Sequence, residues 1–132
     1  MLSWKGFQKA FEYINLIEQG MVCTLSLSAL TVLFGFILAL FLAICRLSNF
    51  KPAKYLATVY VEVIRATPML VQLYIVYYQL SFIKYPSGTI WGVDIERAIP
   101  CIIALSLNSA AYIAEVFRAG IQAVDVGQME AA

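Results

Sequence analysis

The sequence predicts an all-α fold of the multi-pass membrane type, in which three helices cross a lipid bilayer. Three observations carry that expectation. Of 132 residues, 62% are hydrophobic and 13% charged, whereas a soluble domain is roughly half apolar and about a quarter charged. From Gln19 to Cys45 no Asp, Glu, Lys or Arg occurs. As a helix rising ~1.5 Å per residue this stretch extends about 40 Å, more than the ~30 Å hydrocarbon core requires. Two further long apolar stretches follow, set apart by short segments carrying charge, Pro and Gly.

Composition also removes several classes of function. The net charge is +1 without a long basic or acidic run, so neither nucleic-acid binding nor an acidic tail is suggested. There is no His, the commonest general base and metal ligand. Cys23, Cys45 and Cys101 are far apart and lack the paired spacings of zinc or redox sites; they read as small packing residues. The expectation is of no catalytic residue, no metal site and no enzyme activity in this chain.

Residues 1–18 read as an interfacial or external segment. Trp4, Phe7, Phe11 and Ile14 recur every three or four positions while Lys5, Lys9 and Glu12 fall elsewhere, as in a helix lying among lipid headgroups; an extension of the first span is the alternative. Residues 19–45 form the first span. A cleaved signal peptide fits less well, because its apolar stretch runs about 7–15 residues after a short basic start and before a small-residue cleavage site. Residues 46–54, RLSNFKPAK, give a polar turn rich in positive charge, which favours the cytoplasmic side.

The second span, 55–83, contains Glu62 and Arg65 near its middle, then Pro68. Residues 84–97 read as an external loop, with Pro86, Ser87 and Gly88 for a turn and Trp91 for an interface. The third span, 98–118, is uncharged through Ala114, and places Glu115 and Arg118 near the opposite membrane face. Three crossings put the N-terminus outside and the stretch 119–132 inside. Lys5, Lys9, Lys84 and Arg97 match Arg46, Lys51, Lys54 and Arg118 in number; the concentration of charge in the 46–54 loop decides the orientation.

Glu62 and Arg65 are spaced i, i+3, so their side chains can meet on one helical face. A lone charge at the bilayer centre costs about 2.5–3.5 kcal/mol on insertion scales, which pairing lowers. The pair is either a structural lock between helices or a polar wall past which a charged or zwitterionic solute moves. Pro68 leaves the Ile64 carbonyl without its helical partner and kinks the helix, with Thr67 and Gln72 placed to satisfy the freed backbone. Such kinks are also ordinary membrane architecture. Asn108 and Ser109, with Ser106, bring polar groups into the third span beside Ala110 and Ala111, which permit close helix approach; packing and contact with a solute path are both open. Glu115 and Arg118 repeat the spacing at the membrane edge, where a solvated pair is expected.

Two stretches together resemble the membrane-spanning permease subunits of ATP-binding-cassette importers, in the polar amino acid branch. YVEVIRATPMLVQLYIVYY, Tyr60 to Tyr78, is similar to that branch's acidic residue followed by Arg-Gly-Thr-Pro, Leu-Val-Gln and an aromatic tail; Ala66 stands where Gly is usual. LNSAAYIAEVFRAGIQAVDVGQMEAA, Leu107 to Ala132, resembles the third core helix leading into the cytoplasmic Glu-Ala-Ala loop, with Gly127, Gln128, Glu130, Ala131 and Ala132 fitting its opening. QGMVCTLSLSAL, Gln19 to Leu30, is similar to the start of the first core helix.

The resemblance covers nearly the whole chain. It implies a permease subunit in a prokaryotic cell membrane that pairs with a second, identical or related permease subunit to form a path for polar or charged amino acids. It implies ATPase subunits on the cytoplasmic side and an external solute-binding protein as partners, with ATP bound by the partner and no cofactor held here. Glu62, Arg65, Thr67, Gln72, Asn108 and Ser109 are then candidates for the path or its bracing, and Gly127 to Ala132 for coupling. The family's signature continues beyond Ala132 to further helices, so the chain is expected to be a fragment ending inside the coupling loop. The alternative from another class is a small helical membrane adaptor that moves nothing; a channel lacks a filter-like segment.

Overall fold

The computed structural model describes residues 13–80, 82–90 and 93–124. Helix α1, Ile14–Leu47, is unbroken over 34 residues, about 51 Å at ~1.5 Å per residue. It is apolar on every side, and large side chains such as Leu25, Phe41 and Ile44 stand exposed, as expected of a helix whose solvent is lipid or neighbouring helices. Helix α2, Lys51–Ala66, opens with a Pro in its first turn, where the missing N–H breaks no helical bond. Helix α3, Met69–Leu80, follows. Strands β1, Thr89–Ile90, and β2, Val93–Asp94, pair antiparallel with Thr89 opposite Asp94 and Ile90 opposite Val93. Helix α4, Ile95–Gln122, completes the described chain.

The helical membrane architecture agrees with expectation, while several boundaries shift. Two helices, α1 and α4, are each long and apolar enough to cross a membrane, and α2 with α3 forms a third span only as a bent pair. The second span read as 55–83 is therefore not one gently kinked helix: the chain bends by 109° between α2 and α3. The polar turn read as 46–54 contracts to residues 48–50, because Arg46 and Leu47 finish α1 and Lys51 already starts α2. The external loop ends early at Asp94, whose side chain accepts the Glu96 N–H at 3.1 Å and so caps α4 three residues before the expected span. Trp4, Phe7 and Phe11 lie outside the described residues; Ile14 is the first residue of α1.

Helices α1 and α4 run parallel, since contacts advance along both together. Ser106 Oγ meets the Thr31 carbonyl at 3.4 Å, Gly35 lies against Ser109, and Arg46 reaches Glu115. The close approach has a specific cause. A Cβ on Gly35 would meet Ser109 Cβ at 3.2 Å and the Ser106 carbonyl oxygen at 3.4 Å, so only glycine fits without displacing a neighbour. Below that crossing, Ala39 and Leu42 of α1 pack on Ala57 and Val61 of α2 and on Ala110, Ala111 and Ala114 of α4. Small side chains let three backbones converge where lipid supplies no hydrophobic drive.

Candidate functional site

The break between α2 and α3 is built locally. Pro68 has no N–H to give the Ile64 carbonyl and disfavours the helical region for the residue before it; Thr67 is accordingly extended, at φ −109° and ψ 143°. The bereaved carbonyls find side chains. Thr67 Oγ1 donates to the Val63 carbonyl at 3.0 Å and the Ile64 carbonyl at 3.3 Å. Gln72 Nε2 donates to the Ile64 carbonyl at 2.6 Å, to the Thr67 carbonyl at 3.1 Å, and to Thr67 Oγ1. Asn108 Nδ2, 6% exposed in residue terms, donates to Gln72 Oε1 at 2.9 Å. The bend is thus pinned to α4, and the Tyr60 hydroxyl pins α2 to the same helix by donating to the Leu107 carbonyl at 2.8 Å.

Glu62 and Arg65 do not pair. Val61 is 1% exposed against the core, and the next residue, turned ~100° around the helix, faces outward: Glu62 is exposed and in no ion pair among the described residues. Arg65 turns instead to α4. Its Nη1 lies 3.7 Å from Glu115 Oε2, and its guanidinium stands 5.6 Å from the centre of the Tyr112 ring, a cation over an aromatic face.

Glu115 is correspondingly not a solvated edge residue. Its side chain is 20% exposed and receives three guanidinium groups. Oε2 accepts from Arg46 Nη1, the end of α1, besides its longer contact with Arg65; Oε1 accepts from Arg118 Nη2 at 2.5 Å and Nε at 3.2 Å. Arg118 Nη1 in turn donates to Gln122 Oε1 at 2.6 Å, on the last residue of α4. The carboxylate is therefore held by charge-assisted hydrogen bonds from α1 and its own helix, with the α2 guanidinium as a longer ion pair, and the four groups together carry a net charge of +2.

Of the residues singled out in the sequence, the structure gathers Thr67, Pro68, Gln72 and Asn108 at the break. Ser109 sits in the Gly35 crossing, in the packing role. Gly127, Gln128, Glu130, Ala131 and Ala132 lie outside the described residues. Sequence reasoning missed Arg46 as a partner of Glu115. The signal was present: parity places the end of the first span and the end of the third at the same membrane face. A groove of about 440 Å³ between α1 and α4 is bordered by Phe34, Leu38, Ile102 and Leu107; its apolar wall suits a neighbouring helix or acyl chain rather than a zwitterion.

Comparison with known proteins places this arrangement. The chain is 39% identical over 126 residues to the arginine transport system permease protein ArtQ of Bacillus subtilis (strain 168), covering 96% of this chain and 54% of that protein. It is 39% identical to a putative glutamine transport system permease protein of Rickettsia conorii, covering 94% of this chain and 54% of the relative. It is 38% identical to the L-cystine transport system permease protein TcyB of Bacillus subtilis (strain 168), covering 98% of this chain and 51% of the relative. A solved structure described as an amino acid ABC transporter with histidines superposes with a TM-score of 0.81 at 43% identity, covering 96% of this chain and 55% of that one. The chain thus spans about half the length of the relatives it matches. The profile of binding-protein-dependent transport system inner membrane components matches residues 19–132, and the chain belongs to that family of prokaryotic membrane proteins.

Proposed function

We propose that the intact protein is a permease subunit of an ATP-binding-cassette importer, forming with a second permease subunit the path for a polar or charged amino acid. The observation that carries the reading is the superposition on an amino acid ABC transporter, at a TM-score of 0.81 over 96% of this chain. Its cited relatives are named for arginine, glutamine and L-cystine transport, which favours amino acids as cargo over other solutes. Nothing observed favours the adaptor alternative.

In this reading the chain does no covalent chemistry. ATPase subunits on the cytoplasmic side bind and hydrolyse ATP, and an external binding protein delivers the solute. The N-terminus lies outside, and Gly127, Gln128, Glu130, Ala131 and Ala132 open a coupling segment on the cytoplasmic face, where small side chains allow a helix to enter a groove. Thr67, Gln72, Asn108 and Ser109 brace the path, because their polar groups or packing surfaces are engaged within the protein. Glu62 is the candidate for facing the path, being exposed and outside every ion pair among the described residues.

The test is ATP-dependent uptake of labelled arginine, glutamine and cystine by the full-length protein, reconstituted in proteoliposomes with its ATPase and binding protein. Accumulation of at least one supports the reading; none sinks it. Glu130→Ala should let ATP hydrolysis proceed without matching uptake, and transport at the unaltered yield would remove Glu130 from coupling.

A further inference from the structure

The ion cluster on Glu115 has a geometry that packing alone does not require. Glu115 lies two turns before the end of α4, and a line of contacts runs from it in both directions. Toward the chain's C-terminal side it continues through Arg118 to Gln122, the last residue of α4. Toward the broken span it reaches Arg65, two residues before Thr67 at the α2–α3 break. Arg46 ties the same carboxylate to the end of α1. One side chain therefore ties the ends of α1 and α2 to α4.

The links differ in kind. Arg46 and Arg118 sit at hydrogen-bonding distance of Glu115, with side chains 10% and 31% exposed. Arg65 stands off at 3.7 Å with 43% of its side chain exposed. A guanidinium at that separation keeps an electrostatic attraction but no good hydrogen bond, and the same guanidinium stands 5.6 Å from the Tyr112 ring, a contact that does not depend on Glu115. Two firm contacts orient the carboxylate, and the third can be made or released at small cost. Coupling between distant sites needs a contact that is made in one arrangement and released in another, and the weakest of the three links is the one suited to it.

We propose that Glu115 is the joint through which displacement of the α4 terminus reaches the broken span, with Arg65 as its detachable arm. Both act as positioning residues. The inference rests on the permease reading, in which residues 127–132, a few positions beyond α4, receive the ATPase stroke. Glu115 would pass that stroke to the end of α2, and the bend at Pro68, held by Gln72 to Asn108, would turn it into a change of angle between α2 and α3.

The test is the number of amino acids moved per ATP hydrolysed, at saturating external solute, by the full-length transporter in proteoliposomes. Arg65→Gln should lower that ratio about tenfold while leaving the solute concentration for half-maximal uptake within about twofold, and Arg65→Lys, which keeps the charge, should restore most of it. A structural role would lower protein yield and thermal stability with the ratio intact, and that result overturns the proposal. A shifted half-maximal concentration with an unchanged ratio overturns it too, by making Arg65 a solute contact. If the unaltered transporter moves nothing, the permease reading falls and this inference with it; normal transport beside an unchanged ratio in Arg65→Gln removes this inference alone.

Discussion

Two prolines sit inside apolar stretches of this chain, and they have opposite consequences. Pro68 divides a span into two helices with a bend of 109° between them; Pro100 lies within α4, which continues unbroken from Ile95 to Gln122. Each removes one helical hydrogen bond, so the lost bond does not explain the difference. What differs is where the orphaned carbonyl lies and what surrounds the ring. Pro100 frees the carbonyl of Glu96, an exposed residue in the first turn of α4. Its own ring is less than 2% exposed, so packing holds the helix on course. Pro68 frees the carbonyl of Ile64 deep in a span, is itself exposed, and is flanked by Thr67 and Gln72, which supply donors for an open conformation. A proline permits a break; neighbours that satisfy the opened backbone make it the stable state.

The largest effect on this contrast should come from Gln72→Leu. That change strips the Ile64 and Thr67 carbonyls of a donor and leaves the buried Asn108 amide without its acceptor. Unsatisfied groups of this kind cost about 1–3 kcal/mol each in soluble proteins, and interhelical bonds in membranes average ~0.6 kcal/mol, so a loss of about 2–3 kcal/mol is expected. SDS-induced unfolding in mixed micelles measures it. A loss below about 0.5 kcal/mol, within the range of ordinary surface changes, would mean that the proline alone sustains the break.

A smaller effect is expected from Pro68→Ala. The restored N–H can approach the Ile64 carbonyl, but Gln72 and Thr67 already occupy it, and the net gain from one more bond is about 1 kcal/mol at most. The bend should persist. Spin labels at the exposed positions Leu56 and Ile75 report it: a continuous helix would separate those residues by about 28 Å, and the bent pair holds them closer. A distance near the straight-helix value in Pro68→Ala would show that the side-chain clasp follows from the proline instead of stabilising the bend itself.

The clasp was readable before the structure, whereas the ion cluster was not, and the reason is range. Thr67 and Gln72 act on carbonyls no more than eight residues away, within what helix geometry predicts once Pro68 is seen. The apolar spans and the small residues Ala110 and Ala111 were legible for the same reason, since period and side-chain size are local properties. Glu62 and Arg65 misled because local spacing suggested a pair, while a carboxylate fifty residues on, already oriented by Arg46 and Arg118, lay closer in space. The 109° bend was also beyond local reading: a missing N–H predicts a weak point, while contacts with another helix, Gln72 with Asn108 and Tyr60 with Leu107, hold the two arms where they lie.

The smallest expected change is in Pro100→Ala, and it tests the other side of the comparison. The new N–H would complete a bond to the Glu96 carbonyl, a net gain of about 1 kcal/mol. The lost ring atoms would leave a small void in a fully buried site, at ~0.8 kcal/mol per methylene removed. The terms nearly cancel, so stability in mixed micelles should stay within about 1 kcal/mol of the unaltered protein. A large destabilisation would show that the ring's packing, more than the position of its orphaned carbonyl, keeps α4 straight. A large stabilisation would show that Glu96 is poorly served by solvent, and that Pro100 resembles Pro68 more closely than its unbroken helix suggests.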